Sequence, residues 1–508
     1  MATVKELEDK ALASVPEKSG SIVNGDCVDV AGAHRLPIVN PDNGKPFCHL
    51  AEAEASTVET AAAAARAAFE AGAWSRTSIE KRQAVLYRAA DFIDAHAEEI
   101  ALLDALSTGL LFGAMVGQAH AGAAWFRYFA NLIGNTSDQV FQQLPNAKTI
   151  VTREAVGVAG LFTPWNIPVM GASLKLSAAL AMGNSCVIKP SEQSPLGTVR
   201  LVELLHEAGV PTDVLHLVNG RGAVTGAALA ASSDIDLISF TGGENAGRII
   251  AREAAKRFAK VTMELGGKSA NIVFADADYD RALDGSLLAI FANNGQACLA
   301  GSRILVHKKI ADRFIADFVA RGQSIKVGRP FDPNTELGPQ SSAQQMARVL
   351  SFAEGASEDG CEILTGGDRA TGIGDGYYVN PTVALAKSNG VRICQEEIFG
   401  PFATFLTFED DEDAVNIAND TRFGLAAYLW TERLERAVTV GDRLRAGTVL
   451  INTPMLRERN APFGGFGHSG IDREGGRWSL DFYSEAKATV MSDGRAPIPQ
   501  MGKGKRKQ

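Results

Sequence analysis

The chain has 508 residues, of which 46% are hydrophobic and 21% are charged, and its formal net charge at pH 7 is −9. These values are typical of a globular protein and exclude disordered, collagen-like and disulfide-scaffold classes. The acidic balance argues against nucleic acid as the main partner. At about 150 residues per domain, the length predicts about three structural units.

The cysteine pattern and the apolar segments indicate the cellular compartment of the protein. The six cysteines are scattered without a C-x-x-C pair, which favours free thiols in a reducing compartment. The N-terminal segment carries both charge signs and lacks the apolar core of a secretory signal. The longest apolar stretch, residues 169–183, contains Lys175 and is too short to cross a bilayer. No two histidines have H-x-x-x-H spacing, so we predict a cytoplasmic protein without a metal site or a membrane partner.

Alternating apolar segments predict the secondary structure. Residues 1 to about 130 are expected to be mostly helical, with capping boxes at 56–59 and 77–80. From residue 155, short strands alternate with helices, which is typical of a parallel sheet with crossover helices. The first series has strands at 156–162, 185–188, 214–218 and 236–240 and helices at 174–182, 196–208, 223–231 and 246–258. The second series has strands at 269–274, 302–306, 403–408 and 448–451 and helices at 282–291 and 311–321.

This pattern also predicts where a ligand binds. Two α/β units, each with its own sheet, would leave a cleft between them. In parallel sheets ligands bind beyond the carboxyl ends of the strands. The loops after Phe162, Ile188 and Phe240 are therefore the expected site.

A cysteine follows a glycine-containing polar segment in the second unit. Cys298 comes directly after the sequence NNGQA, which is typical of a turn or a helix end. As a thiolate it could attack an electrophilic carbon. The alternative is a small buried side chain without chemistry, which is the commoner role of a cysteine outside such a context.

Two further motifs could assist a nucleophile. Glu264, in MELGGK, stands at a predicted strand end, and burial would raise its pKa enough for a general base near neutral pH. Asn166 lies in the loop TPWNIP, which two prolines stiffen, and its amide could donate to an oxyanion. Glu264 could instead cap the next segment, and Asn166 could stabilise its own turn.

Several strand-to-helix turns could hold a nucleotide cofactor. In KPSE, Glu192 follows a strand and could accept both ribose hydroxyls while repelling a 2′-phosphate. In FTGG, Gly243 opens a helix whose N–H groups could bind a pyrophosphate. The fingerprint G-x-G-x-x-G is absent, and Gly222 and Gly226 could equally serve packing.

Seven motifs stand in one order between Thr163 and Phe466: PWN, KPSE, FTGG, MELGGK, GQAC, EEIFGP and PFGGF. In this set and order the chain resembles the aldehyde dehydrogenase superfamily of NAD(P)-dependent enzymes. The resemblance implies an α/β fold with a doubly wound, Rossmann-like cofactor domain, a second α/β catalytic domain, and a protruding β arm that joins subunits into homodimers or homotetramers. It places the NAD-binding domain at 1–132 and 155–266, the catalytic domain at 267–472, and the oligomerisation arm at 133–154 and 482–498.

The resemblance also implies roles for the candidate catalytic residues. Cys298 would form a thiohemiacetal with an aldehyde and then a thioester. Asn166 and the backbone N–H of Cys298 would form the oxyanion hole. Glu264 would activate the water that releases a carboxylic acid, with Lys175 and Glu474 as a proton path behind it.

The expected cofactor is NAD rather than NADP, because Glu192 would repel a 2′-phosphate. By the resemblance, Lys189 and Glu192 would hold the adenine ribose, Gly243 and its helix the pyrophosphate. Glu397 and Phe399 would hold the nicotinamide ribose and ring. The remaining expected cofactor contacts are Thr163, Pro164, Trp165, Ser191, Gly222, Gly226, Phe240, Thr241, Gly242 and Leu265.

The segment around Arg457 most resembles the muconate-semialdehyde branch, in which an arginine there binds a substrate carboxylate. A second arginine of that branch corresponds to Ala121, so only one of the two arginines would be present to bind a dicarboxylic semialdehyde. We therefore expect an aromatic or other bulky apolar aldehyde. Open alternatives are a muconate-type semialdehyde, an Arg457–Glu458 salt bridge, a CoA-acylating enzyme, and a non-catalytic binding member of the family. The other expected substrate contacts are Met170, Gly171, Leu174 and Phe463.

Overall fold

The computed structural model describes residues 3–17, 20–29 and 32–502. The N-terminal part contains two β-hairpins followed by four helices. Its elements are α1 (Val4–Ala13), β1 (Ser21–Val23), β2 (Asp26–Val28), β3 (Arg35–Asn40), β4 (Lys45–Ala51), α2 (Ala55–Ala71), α3 (Ile79–Ala95), α4 (Ala97–Thr108) and α5 (Phe112–Gly134).

The expectation of a mostly helical start is wrong for residues 21–28 and 35–51, which form the two hairpins. Strand β1 is short and is held by a tertiary contact, because Ile22 pairs with Leu217 at a sheet edge. The capping box at 56–59 is also wrong, since α2 already begins at Ala55. At α3 the cap is Ser78, whose side chain accepts from the N–H of Lys81.

The middle of the chain builds the first large sheet and part of a small one. All predicted elements of the first series form, although α6 begins six residues earlier than expected because a proline fits the first turn of a helix. The elements are β5 (Gln139–Phe141), β6 (Ala147–Ala155), β7 (Val158–Phe162), α6 (Pro168–Ala181), β8 (Ser185–Lys189), α7 (Leu196–Glu207), β9 (Leu215–Leu217), α8 (Ala227–Ala231), β10 (Leu237–Thr241), α9 (Glu244–Ala255) and β11 (Lys260–Glu264).

The rest of the chain builds the second large sheet and returns to the other two. The strand expected from residue 482 begins at Ser484, because Phe482 ends a helix. The elements are β12 (Ala270–Val273), α10 (Tyr279–Phe291), β13 (Arg303–His307), α11 (Ala311–Gln323), α12 (Ala343–Glu358), β14 (Glu362–Thr365), β15 (Thr382–Leu385), α13 (Arg392–Gln395), β16 (Phe402–Phe408), α14 (Asp411–Asn419), β17 (Ala426–Trp430), α15 (Leu434–Gly441), β18 (Thr448–Ile451), β19 (Gly470–Ile471), α16 (Gly476–Phe482) and β20 (Ser484–Ser492).

The first sheet has the order β19-β11-β10-β7-β8-β9-β1-β2, and β7 to β11 run parallel. Side chains alternate between its faces, so that Val158 packs with α2, α8 and α9 whereas Leu161 packs with α3, α5, α6 and α7. Helices on both faces confirm the doubly wound α/β class. The strand order turns back between β7 and its neighbours β8 and β10, which is where such sheets bind ligands.

The second sheet has the order β14-β15-β16-β13-β12-β17-β18 and is parallel except at β14. Strand β19, which lies within the predicted catalytic segment, pairs instead with β11 of the first sheet. This return places Gly470 opposite Glu264, at the carboxyl end of β11. The predicted domain bounds themselves stay a prediction.

The third sheet is antiparallel, with the order β20-β6-β5, and contains the predicted arm segments. Its strands carry exposed apolar side chains, among them Val140 and Val490. In the part of the chain that the structure describes, no helix has the length and apolarity needed to cross a bilayer. The described ranges also contain no cluster of three or more His, Cys, Asp or Glu side chains that could hold a metal ion.

Candidate active site

The loop between α10 and β13 carries Cys298 and begins with an unusual turn. Asn293, Asn294 and Gly295 have φ angles of 54°, 58° and 72°, so three consecutive residues are left-handed. Asparagine and glycine are the residues that adopt this conformation most readily. Gly295 also needs to lack a side chain, because a Cβ there would lie 2.2 Å from the carbonyl carbon of Gly400. The turn therefore aims the segment with Cys298 out of the helix, as its sequence predicted.

The Asn166 loop lies directly against this turn. Asn166 Nδ2 donates to the carbonyl of Gln296 at 2.7 Å. In return, Asn293 Nδ2 donates to the carbonyl oxygens of Asn166 and Gln296, each at 3.1 Å. The second N–H of the Asn166 amide has no hydrogen bond to any described residue. An amide held by one N–H and free at the other can donate to an oxyanion.

Glu264 ends strand β11 and is buried, with 3% of its surface exposed. Neither carboxyl oxygen has a hydrogen-bond partner among the described residues. Burial raises the pKa of Glu264 well above its ordinary value, and the nearby charge of Glu474 raises it further, whereas Lys175 lowers it. Gly464 makes room for the group, since a Cβ there would lie 2.8 Å from Oε1. Such a carboxyl can take up a proton near neutral pH.

A buried ion pair lies behind Glu264. Lys175 Nζ is 2.5 Å from Glu474 Oε1 and 2.7 Å from Ser239 Oγ. Ser239 also donates to Glu474 Oε1 at 3.1 Å. The structure thus brings the two predicted proton-path residues together and adds Ser239. Sequence reasoning missed this serine because it lies inside an apolar strand and shows no motif.

The surroundings of Cys298 favour the neutral thiol. Burial raises its pKa to about 12, and the charges of Glu397 and Glu264 raise it further. The charge of Arg457 lowers the pKa of the same thiol. Attack on a carbon would therefore require transfer of the thiol proton to a nearby base, and Glu264 is a carboxyl with the necessary proton affinity.

The predicted nicotinamide contacts line one cleft with the Cys298 loop. Glu397 and Phe399 share this cleft with Ala297. Glu397 Oε1 accepts from the N–H of Gly267 at 2.9 Å, and burial raises the pKa of this carboxyl to about 7. The rings of Phe399 and Trp165 meet edge to face at 5.2 Å. Phe399 has a φ of 64°, and Gln345, which sequence reasoning missed, donates to its carbonyl at 2.7 Å.

The predicted adenosine contacts stand at the carboxyl ends of the first sheet. Lys189 is buried and its Nζ lies 3.6 Å from Glu192 Oε2. Gly226 is packed against Lys189, because a Cβ there would lie 3.4 Å from Lys189 Cδ. A Cβ at Gly222 or Gly243 would meet nothing within 4 Å. Gly243 is the N-cap of α9, so the open space there fits a pyrophosphate at the helix N-terminus, whereas Gly222 leaves open space in the turn before α8.

The other predicted cofactor contacts surround this surface. A Cβ at Gly242 would lie 2.6 Å from the Phe240 ring, and Leu265 packs on Gly247 of α9. Thr163 Oγ1 is buried without a partner among the described residues. Ser191 Oγ accepts from the N–H of Gln193 at 3.3 Å. Pro164 and Trp165 follow the end of β7, and Thr241 is the last residue of β10.

The predicted substrate residues meet at α6 and at the loop after β18. The Arg457 guanidinium lies 4.0 Å from the centre of the Phe463 ring and 5.3 Å from that of Trp125. Arg459, which sequence reasoning did not single out, lies 5.6 Å from the same Trp125 ring. Among the described residues, Arg457 makes no ion pair, so the alternative of an Arg457–Glu458 salt bridge is wrong. The remaining predicted wall residues, Met170, Gly171 and Leu174, lie on α6.

Comparisons with known proteins place the chain in a family. The model of the aldehyde dehydrogenase family matches residues 28–489. Betaine aldehyde dehydrogenase of Bacillus subtilis is 40% identical over 468 residues, which cover 92% of this chain and 96% of that protein. 2-Hydroxymuconic semialdehyde dehydrogenase of a Pseudomonas species is 40% identical over 474 residues, covering 92% and 97%.

A solved structure supports the same assignment. The crystal structure of betaine aldehyde dehydrogenase from Staphylococcus aureus, in complex with NAD+, has a TM-score of 0.95 and 35% identity. The match covers 99% of this chain and 100% of that one. The similarity therefore extends over both large sheets and the three-stranded sheet. The chain belongs to the aldehyde dehydrogenase family.

Proposed function

We propose that the protein oxidises an aldehyde to a carboxylic acid with NAD as the hydride acceptor and Cys298 as the nucleophile. One observation carries the proposal: a buried carboxyl without a partner and an amide with a free N–H both face the loop of Cys298. These are the base, the oxyanion donor and the nucleophile of an acyl-transfer site.

The first step would be addition of Cys298 to the aldehyde carbon. The thiol proton would pass to Glu264, and a carbon–sulfur bond would form while the carbonyl oxygen becomes an alkoxide. The free N–H of Asn166 would stabilise this alkoxide, and donors of this kind contribute about 3–4 kcal/mol to a barrier. The amide needs no reorganisation for this role, because the Gln296 carbonyl already orients it.

Bound NAD supplies a hydride acceptor, which converts the thiohemiacetal into a thioester. Glu397 and Phe399 would orient the nicotinamide end, since they line a cavity with Ala297 of the Cys298 loop, and Trp165 would support the Phe399 ring that it contacts. At the other end, the open glycines beside α9 and the carboxyl of Glu192 would hold the pyrophosphate and the ribose. The NAD+ complex of the Staphylococcus aureus relative supports the choice of cofactor.

Hydrolysis of the thioester would then require a base. Glu264 would remove a proton from water, the carbon–sulfur bond would break, and the acid and the Cys298 thiol would be released. Before hydrolysis, the Lys175–Glu474 pair with Ser239 would pass the thiol proton onward from Glu264, so that its carboxylate can accept a proton from water. Its two charges have opposite effects on the pKa of Glu264: Glu474 raises it and Lys175 lowers it.

For the substrate, we propose an aromatic or other bulky apolar aldehyde with a polar or acidic group within reach of Arg457. The aromatic rings of Phe463 and Trp125 offer apolar surface, and the guanidinium on them has no carboxylate partner among the described residues. A muconate-type semialdehyde is the second candidate. The unpaired Arg457 and the name of the Pseudomonas relative support it.

We also propose that the three-stranded sheet joins subunits into a homodimer or a homotetramer. Strand β20 is exposed from Glu485 to Ser492, and Val140 and Val490 expose 63% and 61% of their surface. Apolar side chains on an uncovered edge strand are typical of an interface between chains.

Replacement of the nucleophile tests the central proposal. Cys298→Ala should reduce NADH formation to background with benzaldehydes, medium-chain aldehydes and semialdehydic acids, because no other group can hold the carbonyl carbon covalently. Absorbance of NADH measures the rate, and Cys27→Ala, an exposed cysteine on β2, is the matched control. Full activity of Cys298→Ala would contradict the proposal. A wild-type rate that requires added CoA would favour the acylating enzyme, and no rate with any aldehyde would favour a non-catalytic member.

Glu264→Gln should slow release of the acid by about 100-fold or more, the usual contribution of a general base. In the wild type this step should become faster as pH rises, since Glu264 acts as a base only after losing its proton at a raised pKa. The variant should lose this pH dependence and accumulate a thioester, which the mass of the intact protein reveals. Glu458→Gln, an exposed carboxyl beside Arg457, is the control. Fast deacylation by Glu264→Gln at every pH would rule out the role.

Glu192 should set the choice of cofactor. Repulsion between its carboxylate and a 2′-phosphate should make kcat/KM for NAD exceed that for NADP by about 10-fold or more, equivalent to about 1.4 kcal/mol. Glu192→Gln should reduce this ratio, whereas Glu203→Gln on α7 should leave it unchanged. Equal kcat/KM values of the wild type for both cofactors would refute the assignment.

Arg457→Ala should raise KM by about 10-fold or more for aldehydes with a carboxylate, because a hydrogen bond to a charged group contributes about 1.5–3 kcal/mol. Neutral benzaldehydes of the same size should keep their KM within about twofold, given the tenfold-per-1.4-kcal/mol scale. Arg433→Ala, an exposed arginine before α15, serves as the control. An equal change for neutral and acidic substrates would show that Arg457 only packs on the aromatic rings.

A further inference from the structure

The turn before Cys298 needs support from outside the loop. Asn293 and Asn294 both adopt the left-handed region, which is costly for residues with a side chain. A short segment in this conformation stays in place only when its surroundings hold it there. The contacts of Asn294 show what holds this one.

The carboxamide of Asn294 is buried, with 1% of the residue exposed. Its Nδ2 donates to the carbonyl oxygens of Gly109 and Pro339, both at 3.0 Å. Its Oδ1 accepts from the N–H of Gly338 at 2.8 Å. Three of the four hydrogen bonds that a carboxamide can make are therefore formed, and all of them leave the nucleophile loop.

One of these partners belongs to a helix that also supports the Asn166 loop. Gly109 directly follows α4, which is buried from Ile100 to Thr108. On the same helix, Asp104 Oδ2 accepts from the N–H of Val169, the second residue of α6, at 3.4 Å. The start of α7 lies against this carboxyl too, because a Cβ at Gly197 would be 2.1 Å from Oδ1. Helix α4 thus contacts the loops of both Cys298 and Asn166.

We propose that Asn294 is a positioning residue, which fixes the Cys298 loop to helix α4 so that thiol and oxyanion donor are placed relative to the same rigid element. The inference rests on the proposed role of Cys298. Its physical basis is that a shift of about 1 Å between reacting groups can cost about 100-fold in rate. Hydrogen bonds to a buried helix restrict such shifts more than contacts within a loop do.

Asn294→Gly separates this role from backbone strain. Glycine adopts a positive φ without cost, so the variant keeps the left-handed turn and loses only the three side-chain hydrogen bonds. The matched control is Asn24→Gly, which makes the same replacement at a φ of 54° in the exposed turn between β1 and β2. Asn294→Ala loses the same hydrogen bonds and adds backbone strain. It provides a second variant if Asn294→Gly behaves like the wild type.

Three measurements at one temperature test the proposal: kcat with a benzaldehyde, KM for NAD, and the rate at which iodoacetamide alkylates the Cys298 peptide, followed by mass spectrometry. Asn294→Gly should lower kcat and the alkylation rate by about 10- to 100-fold. Its KM for NAD should stay within about twofold of wild type on that same free-energy scale, because Asn294 contacts no cofactor residue. The fall in Tm caused by Asn294→Gly should exceed that caused by Asn24→Gly by no more than a few degrees.

Two results would overturn the proposal. In the first, kcat and alkylation of both Asn294 variants stay within about twofold of wild type, a difference well below the expected loss. In the second, KM for NAD and Tm change as strongly as kcat, which would indicate a general loss of structure. Alkylation does not depend on turnover. A wild type without aldehyde oxidation would therefore refute the proposed function while still testing the position of the thiol.

Discussion

Two hydrogen bonds join the Asn166 loop to the Cys298 loop across the boundary between the two large sheets. Asn166 donates from its side chain to Gln296 and accepts at its carbonyl from Asn293. Each loop therefore supplies a donor to the other, and a buried donor or acceptor left without its partner would cost about 1–3 kcal/mol. This contact holds the loop that carries the Cys298 thiol against the loop that carries the Asn166 amide.

Around that contact, burial favours the neutral thiol and raises the proton affinity of the carboxyls. Burial raises the pKa values of Glu264, Glu397 and Cys298, and the two carboxyls raise the pKa of the Cys298 thiol further. Two compensating cations lie nearby. Lys175 is in an ion pair with Glu474, and the Arg457 guanidinium packs on an aromatic ring. A site of this kind moves protons over short distances without holding a permanent charge beside the reacting carbon. The proposed chemistry needs such movement twice.

The cofactor face and the substrate face of the cleft are built from different parts of the chain. The cofactor face is built from backbone geometry and open glycines, whose fit to a dinucleotide is independent of the aldehyde. The substrate face depends on a few side chains near Arg457, and small changes there alter which aldehyde fits. The two curated relatives described above, equally similar to this chain, carry the names of different aldehydes. Family membership therefore leaves the substrate open.

The sequence by itself predicted the α/β class, the two strand series and the motifs around Cys298, Glu264 and Asn166. Such features depend on the local sequence pattern. They also depend on short segments whose conformation favours particular residue types, as the left-handed turn favours the residues NNG. It could not predict that Ser239 joins Lys175 and Glu474, that Asn294 reaches the end of α4, or that residues 21–28 and 35–51 form hairpins. These contacts join residues distant in the chain and satisfy buried polar groups, so only the packing of the two sheets decided them.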